Sequence, residues 1–438
     1  MKRFNYIFRA ILAILLINLT TLANAQDFQA ENPGETSSAH EPTAWLDSVD
    51  ISLLTCGPGQ EVWSYYGHTA LRIEDCAHGN DLAVNWGMFS FNQDYFILRF
   101  VFGLTDYQIG IIPMERFIEE YASDGRWVRQ QKLALTKEEK MKILDAIAAN
   151  YKPESRTYRY NFFYDNCTTR ARDMIIQHLG QHSTDFKNAD TQSTYREEIH
   201  RWNKNHRWAR FGNDLLLGYM ADRPINKKEW EFLPDNLSQD FATEARNDTT
   251  RQTEGPFIEA YPSKDRNIKL VDSTFYVIAP QPSITAESEL FTPFSTAIAI
   301  GLCIFLLSVM EAYKRKNFWW LDAILMLLTG LPGLILLAMV FSDHPTVQIN
   351  FQILILNPLN LIFIWKSICK MRKGKMYWYY NVWGALLTIF LFMQNWQHYA
   401  EGMNILALSL LSRYAIRSYL YDLKLYKKYN IGFQKKLS

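Results

Sequence analysis

Two residues in this chain stand where they could do covalent chemistry. Cys167 follows the aromatic-rich run Tyr160-Asn161-Phe162-Phe163-Tyr164-Asp165-Asn166 and opens a stretch whose apolar residues recur at helical spacing through Leu179. A thiol at a helix N-terminus sits in a field that favours its anion, which lowers its pKa and makes it a nucleophile. His68 leads the run His68-Thr69-Ala70-Leu71-Arg72-Ile73, whose alternation suits a strand. An imidazole brought beside the thiol could take its proton. The chemistry of such a pair is nucleophilic catalysis through a thioester. Taken singly, each residue also has a plain structural reading. A Cys among aromatics serves as a small buried apolar group, and a strand His is usually structural.

The elements that must position the pair are readable around them. Residues 51–55 form a short strand ending at Cys56-Gly57-Pro58-Gly59, His68 starts a second, and residues 82–86 suit a third. Residues 133–151, with Thr136 before Glu138 and Glu139, read as a helix. If the first two strands run antiparallel, Cys56 lies beside His68. Cys76 then lies about 25 Å away at about 3.3 Å per residue, too far for a disulfide.

The 438 residues carry a net charge of +1, which gives no basic surplus for nucleic acid. No cluster of His, Cys and Asp has metal-ligand spacing, so neither metal nor cofactor is expected. Near-neutrality averages two unlike halves: residues 26–290 are polar, and residues 291–421 are dominated by Leu, Ile, Phe and Trp. Met1-Lys2-Arg3, the apolar run 7–19 and Ala23-Asn24-Ala25 predict a signal peptide over residues 1–25. Five apolar segments, 293–312, 319–341, 347–365, 377–395 and 399–421, suit an all-α bundle of five membrane helices. Arg413 and Arg417 fall inside the last and are expected to snorkel toward the headgroups. Cys303 and Cys369 read as apolar filler.

Loop charge orients the bundle. Lys314, Arg315 and Lys316 occupy the first loop, five Lys or Arg between Lys366 and Lys375 the third, and residues 422–438 form a basic tail. Residues 342–346 and 396–402 hold no Lys or Arg. The positive-inside rule puts the basic loops and the C-terminus in the cytoplasm and the polar domain in the periplasm.

The motifs Gly67-His68-Thr69-Ala70-Leu71-Arg72 and Tyr160-Asn161-Phe162 through Asn166-Cys167-Thr168-Thr169 resemble the signature of the Lnb N-terminal periplasmic domain family. With the signal peptide and five spans, the layout is similar to the Lnb lipoprotein N-acyltransferases. The resemblance implies an α+β, circularly permuted NlpC/papain-like fold, related to lecithin:retinol acyltransferase, in an inner-membrane protein. It implies Cys167 as nucleophile and His68 as general base. Sites of this kind add a polar residue on the next strand that orients the imidazole. Asn85 is the best-placed candidate and His78 the second. His344-Pro345, Asn350 and Asn357-Pro358 resemble the family's membrane half. They either line a lipid entrance or supply polar atoms to a helix-breaking loop.

The implied reaction takes an acyl chain from a membrane phospholipid onto Cys167. It then passes the chain to the α-amine of a diacylated lipoprotein, with N–H groups at the start of the Cys167 helix stabilising the oxyanion. A hydrolase, acting on peptidoglycan peptides or phospholipid, and a non-catalytic assembly module remain open alternatives.

Overall fold

Val49–Cys56 (β1) and His68–Asp75 (β2) pair antiparallel, with Cys56 directly opposite His68. Apolar residues occupy both faces of β1, so this pair forms the middle of a larger sheet. Asn80–Met88 (β3), Asp106–Pro113 (β4), Val128–Leu133 (β5), Thr157–Arg159 (β6) and Val271–Ile278 (β7) complete seven strands in the order β7-β5-β1-β2-β3-β4-β6. The structure is a computed structural model and describes residues 43–89, 94–180, 190–243, 245–248, 266–281 and 291–437. The expected signal peptide lies outside the described residues.

Between β3 and β4 runs Phe96–Val101 (α1), and after β4 comes Met114–Ser123 (α2). The latter covers one face of the sheet through Met114, Phe117 and Tyr121, which meet Leu54, Cys56, Ala70 and Ala83. The opposite face is covered by Lys137–Tyr151 (α3), Cys167–Ile176 (α4) and, further along, Pro234–Thr243 (α7). There Ile143, Ile175 and Leu237 meet Ile51, Leu53, Leu71 and Trp86. The expected helix over 133–151 starts at Lys137. Leu133 ends β5, and Thr136 caps the helix, its hydroxyl accepting from Glu139 N–H while Glu139 accepts from Thr136 N–H.

Tyr195–Trp202 (α5) and Arg207–Leu216 (α6) lead to the second region. That region is helical: Pro293–Lys314 (α8), Trp319–Met339 (α9), Leu359–Arg372 (α10), Trp378–Met393 (α11) and Met403–Leu437 (α12). Among the described residues, Pro293–Lys314, Trp319–Met339 and Pro345–Arg372 are long and apolar enough to cross a membrane, and Trp378–Met393 is a shorter apolar helix.

Two expectations for this half are corrected. The third segment is not one helix over 347–365. A helical turn, Pro345–Gln348, and a 3-10 turn, Phe351–Leu354, precede a break at Asn357-Pro358, and α10 starts at Leu359. Proline supplies no N–H and disfavours helix at the residue before it. Irregular backbone of this kind is tolerated because it is enclosed by protein. Gly333 of α9 has its bare Cα against the break, where a Cβ would lie 2.3 Å from the Leu356 carbonyl oxygen. Nor do Arg413 and Arg417 snorkel. Both are buried, and they pair with Glu311 of α8 and Asp322 of α9. A charge inside such a bundle is held by a partner where one is within reach.

The two regions are docked by backbone. The Gly218 N–H donates to Thr346 O at 2.8 Å and the Tyr219 N–H to Ile349 O at 2.7 Å. The side-chain amides of Asn350, Gln352 and Gln397 donate to the carbonyls of Leu215, Asp214 and Leu217. Gly218 has no alternative, because a Cβ there would sit 2.1 Å from Ile349 O. The segments that carry the N-terminal domain are therefore those next to the two loops that lack Lys and Arg.

Candidate active site

Asn166 builds the start of α4. Its side-chain oxygen accepts from the N–H groups of Thr168 and Thr169, at 2.8 and 2.9 Å, and its amide donates to the carbonyls of Phe162 and Phe232. Thr169 Oγ1 accepts from the Asn166 N–H, closing a capping box. Cys167 is the first helical residue, partly buried beside the sheet. The Asn166 cap takes up the Thr168 and Thr169 donors, and the Arg170 N–H goes to the Asn166 carbonyl. The expectation that several N–H groups here face a ligand is thus corrected: the N–H of Cys167 itself is the one the cap leaves.

His68, at the start of β2, lies close enough to the Cys167 thiol for each to shift the other's pKa, and on its other side it hydrogen-bonds Asn85. The His68 Nε2 to Asn85 Oδ1 distance is 2.7 Å. The Gly87 N–H also donates to Asn85 Oδ1, at 2.7 Å, which orients the amide with its oxygen toward the ring. Nε2 therefore carries the proton and donates, leaving Nδ1 for the thiol. Gly87 stands against the ring itself: a Cβ would lie 2.5 Å from His68 Cε1. Between Asn85 and Gly87, Trp86 is buried and pinned at both ends. Its Nε1 donates to Asn150 Oδ1, and its carbonyl accepts from the Tyr158 hydroxyl.

The electrostatics separate two thiols. Burial pushes the Cys167 thiol up, but the charge and hydrogen bond of His68, the Thr69 N–H and the Thr168 hydroxyl pull it down to about 7. Burial pushes His68 down, and the neighbouring Cys167 outweighs that, so its pKa ends above the usual imidazole value. Each group thus favours the charged form of the other. Burial pushes Cys56, one strand away, up to about 12. It is a core residue.

The structure brings Cys167, His68 and Asn85 together. His78 is elsewhere, in the turn at the far end of β2 and paired with Asp75. All five cysteines are free, with Cys56 buried and Cys76 exposed. Asn350 serves the docking described above, Asn357 caps the start of α10, and His344 abuts Gly103. Sequence reasoning missed Gly87, Thr69 and Thr168. The first had a faint signal, a glycine two residues after a polar strand residue. The threonine pair, Oγ1 to Oγ1 at 3.0 Å, had none, because it joins positions 99 apart in the chain.

A model of the Lnb N-terminal periplasmic domain matches residues 36–199, and a model of the Lnb transmembrane domain matches residues 285–424. The chain belongs to the Lnb family. It is accordingly a multi-pass inner-membrane protein with a periplasmic N-terminal domain, and an enzyme of lipoprotein maturation. The first match contains His68, Asn85 and Cys167, and the second contains α8 to α11 whole. No curated protein and no solved structure gives a match to the chain.

Proposed function

We propose that this Lnb family member is a lipoprotein N-acyltransferase that works through a thioester on Cys167. The observation that carries the reading is the thiol at the start of α4, lowered to about 7 by a neighbouring imidazole that Asn85 orients. In the first step His68 Nδ1 holds the thiol proton while the Cys167 sulfur attacks the ester carbonyl of a membrane phospholipid. The tetrahedral oxyanion accepts from the Cys167 N–H. The intermediate collapses, the C–O bond breaks, and the imidazolium gives its proton to the departing lysophospholipid oxygen. In the second step the free α-amine of a diacylglyceryl-cysteine attacks the thioester. His68 takes the amine proton, the C–S bond breaks, and the lipoprotein leaves N-acylated.

His68 preceding Cys167 in the chain, with the thiol on a helix against the sheet, supports a circularly permuted NlpC/papain-like domain. Five spans with a cytoplasmic C-terminus are supported by the docking. The loops without Lys or Arg lie on the side of the N-terminal domain, as the positive-inside rule requires. Both substrates reside in the membrane, and docking onto membrane helices raises the effective concentration of each at the thiol. That favours transfer over hydrolysis.

The test uses the full chain in phospholipid bilayers with a diacylated lipopeptide. A lipopeptide with a free N-terminal amine gains one acyl chain, and the same peptide with an acetylated amine gains none. If neither peptide is acylated while free fatty acid accumulates, the protein is a hydrolase.

A further inference from the structure

Short as it is, α1 departs from the way a water-soluble domain treats its surface. It follows Tyr95, which stands in the left-handed region at φ 57°, costly for a bulky aromatic. Tyr95, Ile97, Leu98, Phe100 and Leu104 are all exposed, Tyr95 to 78% and Leu98 to 56%. Arg99, the one charge in α1, is turned onto Asp106 at 2.5 Å. A contiguous apolar patch of this kind marks a binding surface.

The position of α1 says what covers it. The Asp343 N–H donates to the Phe102 carbonyl at 2.9 Å, just beyond the end of membrane helix α9. Gly103, at φ 70°, lets the two backbones meet, since a Cβ would lie 3.2 Å from Asp343 N. Val101 packs into the cluster that contains Met339 and Val347. The apolar side chains of α1 are therefore held at the level where the membrane helices leave the bilayer, next to a loop without basic residues.

Behind the patch runs a series of rings. Phe96 faces Phe89 at 6.3 Å between centroids, Phe89 faces Tyr107 at 4.7 Å, and Tyr107 faces Tyr160 at 4.1 Å. Tyr107, Tyr160 and Cys167 pack against the same core cluster. The charge of Cys167 is also felt by both tyrosine hydroxyls. A run of stacked rings thus leads from behind the exposed patch to the core cluster against which Cys167 packs.

We propose that α1 is an interfacial lip: Ile97, Leu98 and Phe100 insert into the outer leaflet of the bilayer that holds α8 to α12, and a phospholipid acyl chain passes along the Phe96–Phe89–Tyr107–Tyr160 rings to Cys167. Insertion rests on the transmembrane domain alone, and passage of the chain rests on the acyl-transfer reading.

The experiment places a photo-crosslinking benzophenone side chain at position 98 of the full chain in phospholipid nanodiscs. A second protein carries it at position 77, in the exposed turn at the far end of β2. Irradiation is expected to add one phospholipid mass at position 98 and none at 77. No lipid adduct at 98 in a protein of native elution volume, or equal adducts at both positions, overturns the proposal. A second arm compares acyl loading of Cys167 from bilayer phospholipid with loading from a water-soluble short-chain acyl thioester in Leu98→Asp. The ratio of bilayer to soluble loading is expected to fall at least tenfold. An unchanged ratio with the adduct at 98 intact overturns the acyl-chain track and leaves insertion standing. A protein that forms the adduct at 98 but loads from neither donor contradicts the acyl-transfer reading instead.

Discussion

Two buried clusters of ionisable groups sit at opposite ends of this molecule, and they are finished differently. In the membrane half, Arg413 and Arg417 meet Asp322 and Glu311, two cations against two anions. All four carboxylate oxygens are taken, with Arg413 Nη2 to Asp322 Oδ2 at 2.6 Å and the Tyr380 hydroxyl donating to Asp322 at 2.8 Å. In the periplasmic half, Cys167 and His68 form a pair as well. There the N–H of Cys167 has been left by the cap, and the thiol is reached by a ring that can move a proton. A structural charge cluster saturates its members, because each unpaired group in low dielectric costs free energy. A catalytic cluster keeps capacity for a group that arrives later.

Substitutions can break that contrast. The largest effect is expected for Cys167→Ala or His68→Ala, each lowering acyl transfer by at least about 10³-fold with thermal stability little changed. Activity and melting temperature measured on the same preparation check this. Asp322→Ala should do the reverse. Leaving two buried arginines with Glu311 as the remaining carboxylate of the cluster should cost about 3–5 kcal/mol of stability, while activity per folded molecule stays within a few fold. Denaturant unfolding in detergent reads the first quantity, and active-site titration the second.

Gly87→Ala tests whether the ring's position matters apart from its presence. The added methyl would fall 2.5 Å from His68 Cε1, so the imidazole must shift, and about a 10²-fold loss is expected. Protein yield should be close to that of the unchanged chain. A smaller, sharper test follows from the thiol pKa of about 7. The thiolate fraction rises as pH passes upward through that value. Iodoacetamide modification of Cys167 should therefore reach half its plateau rate near pH 7. In His68→Gln the imidazolium is gone and burial still pushes the thiol up, so the midpoint should move above about 8.5. A midpoint unchanged by that substitution would mean the two groups are not coupled.

What could be read from the sequence follows from range. The register that puts Cys56 opposite His68, the Thr136 cap and the helical start at Cys167 are local patterns, and the structure has all three. Asn85 was reachable one strand further on through the papain-like resemblance, which calls for a polar residue there, and the register sets it opposite Ala70, two residues from His68. Strand β7 was not, because it joins the sheet edge beside β5 from more than 130 residues downstream. The break in the third apolar segment was legible only as one of two alternatives for Asn357-Pro358, for a different reason. Hydropathy averages over Asn357-Pro358, and only the bare Cα of Gly333 on a neighbouring helix makes room for the kink. Arg413 and Arg417 were read one at a time as charges in lipid. Their burial depends on Glu311 and Asp322, which lie on two other helices.

The central claim is that an acyl group rests on Cys167 between two half-reactions. The most direct measurement is intact mass of the full chain after incubation with phospholipid and no acceptor. One added acyl chain is expected, located on Cys167, released by neutral hydroxylamine, discharged by a lipopeptide with a free amine, and absent in His68→Ala. Lipopeptide acylation that proceeds in Cys167→Ala, or an acyl chain found on a different residue, would contradict it.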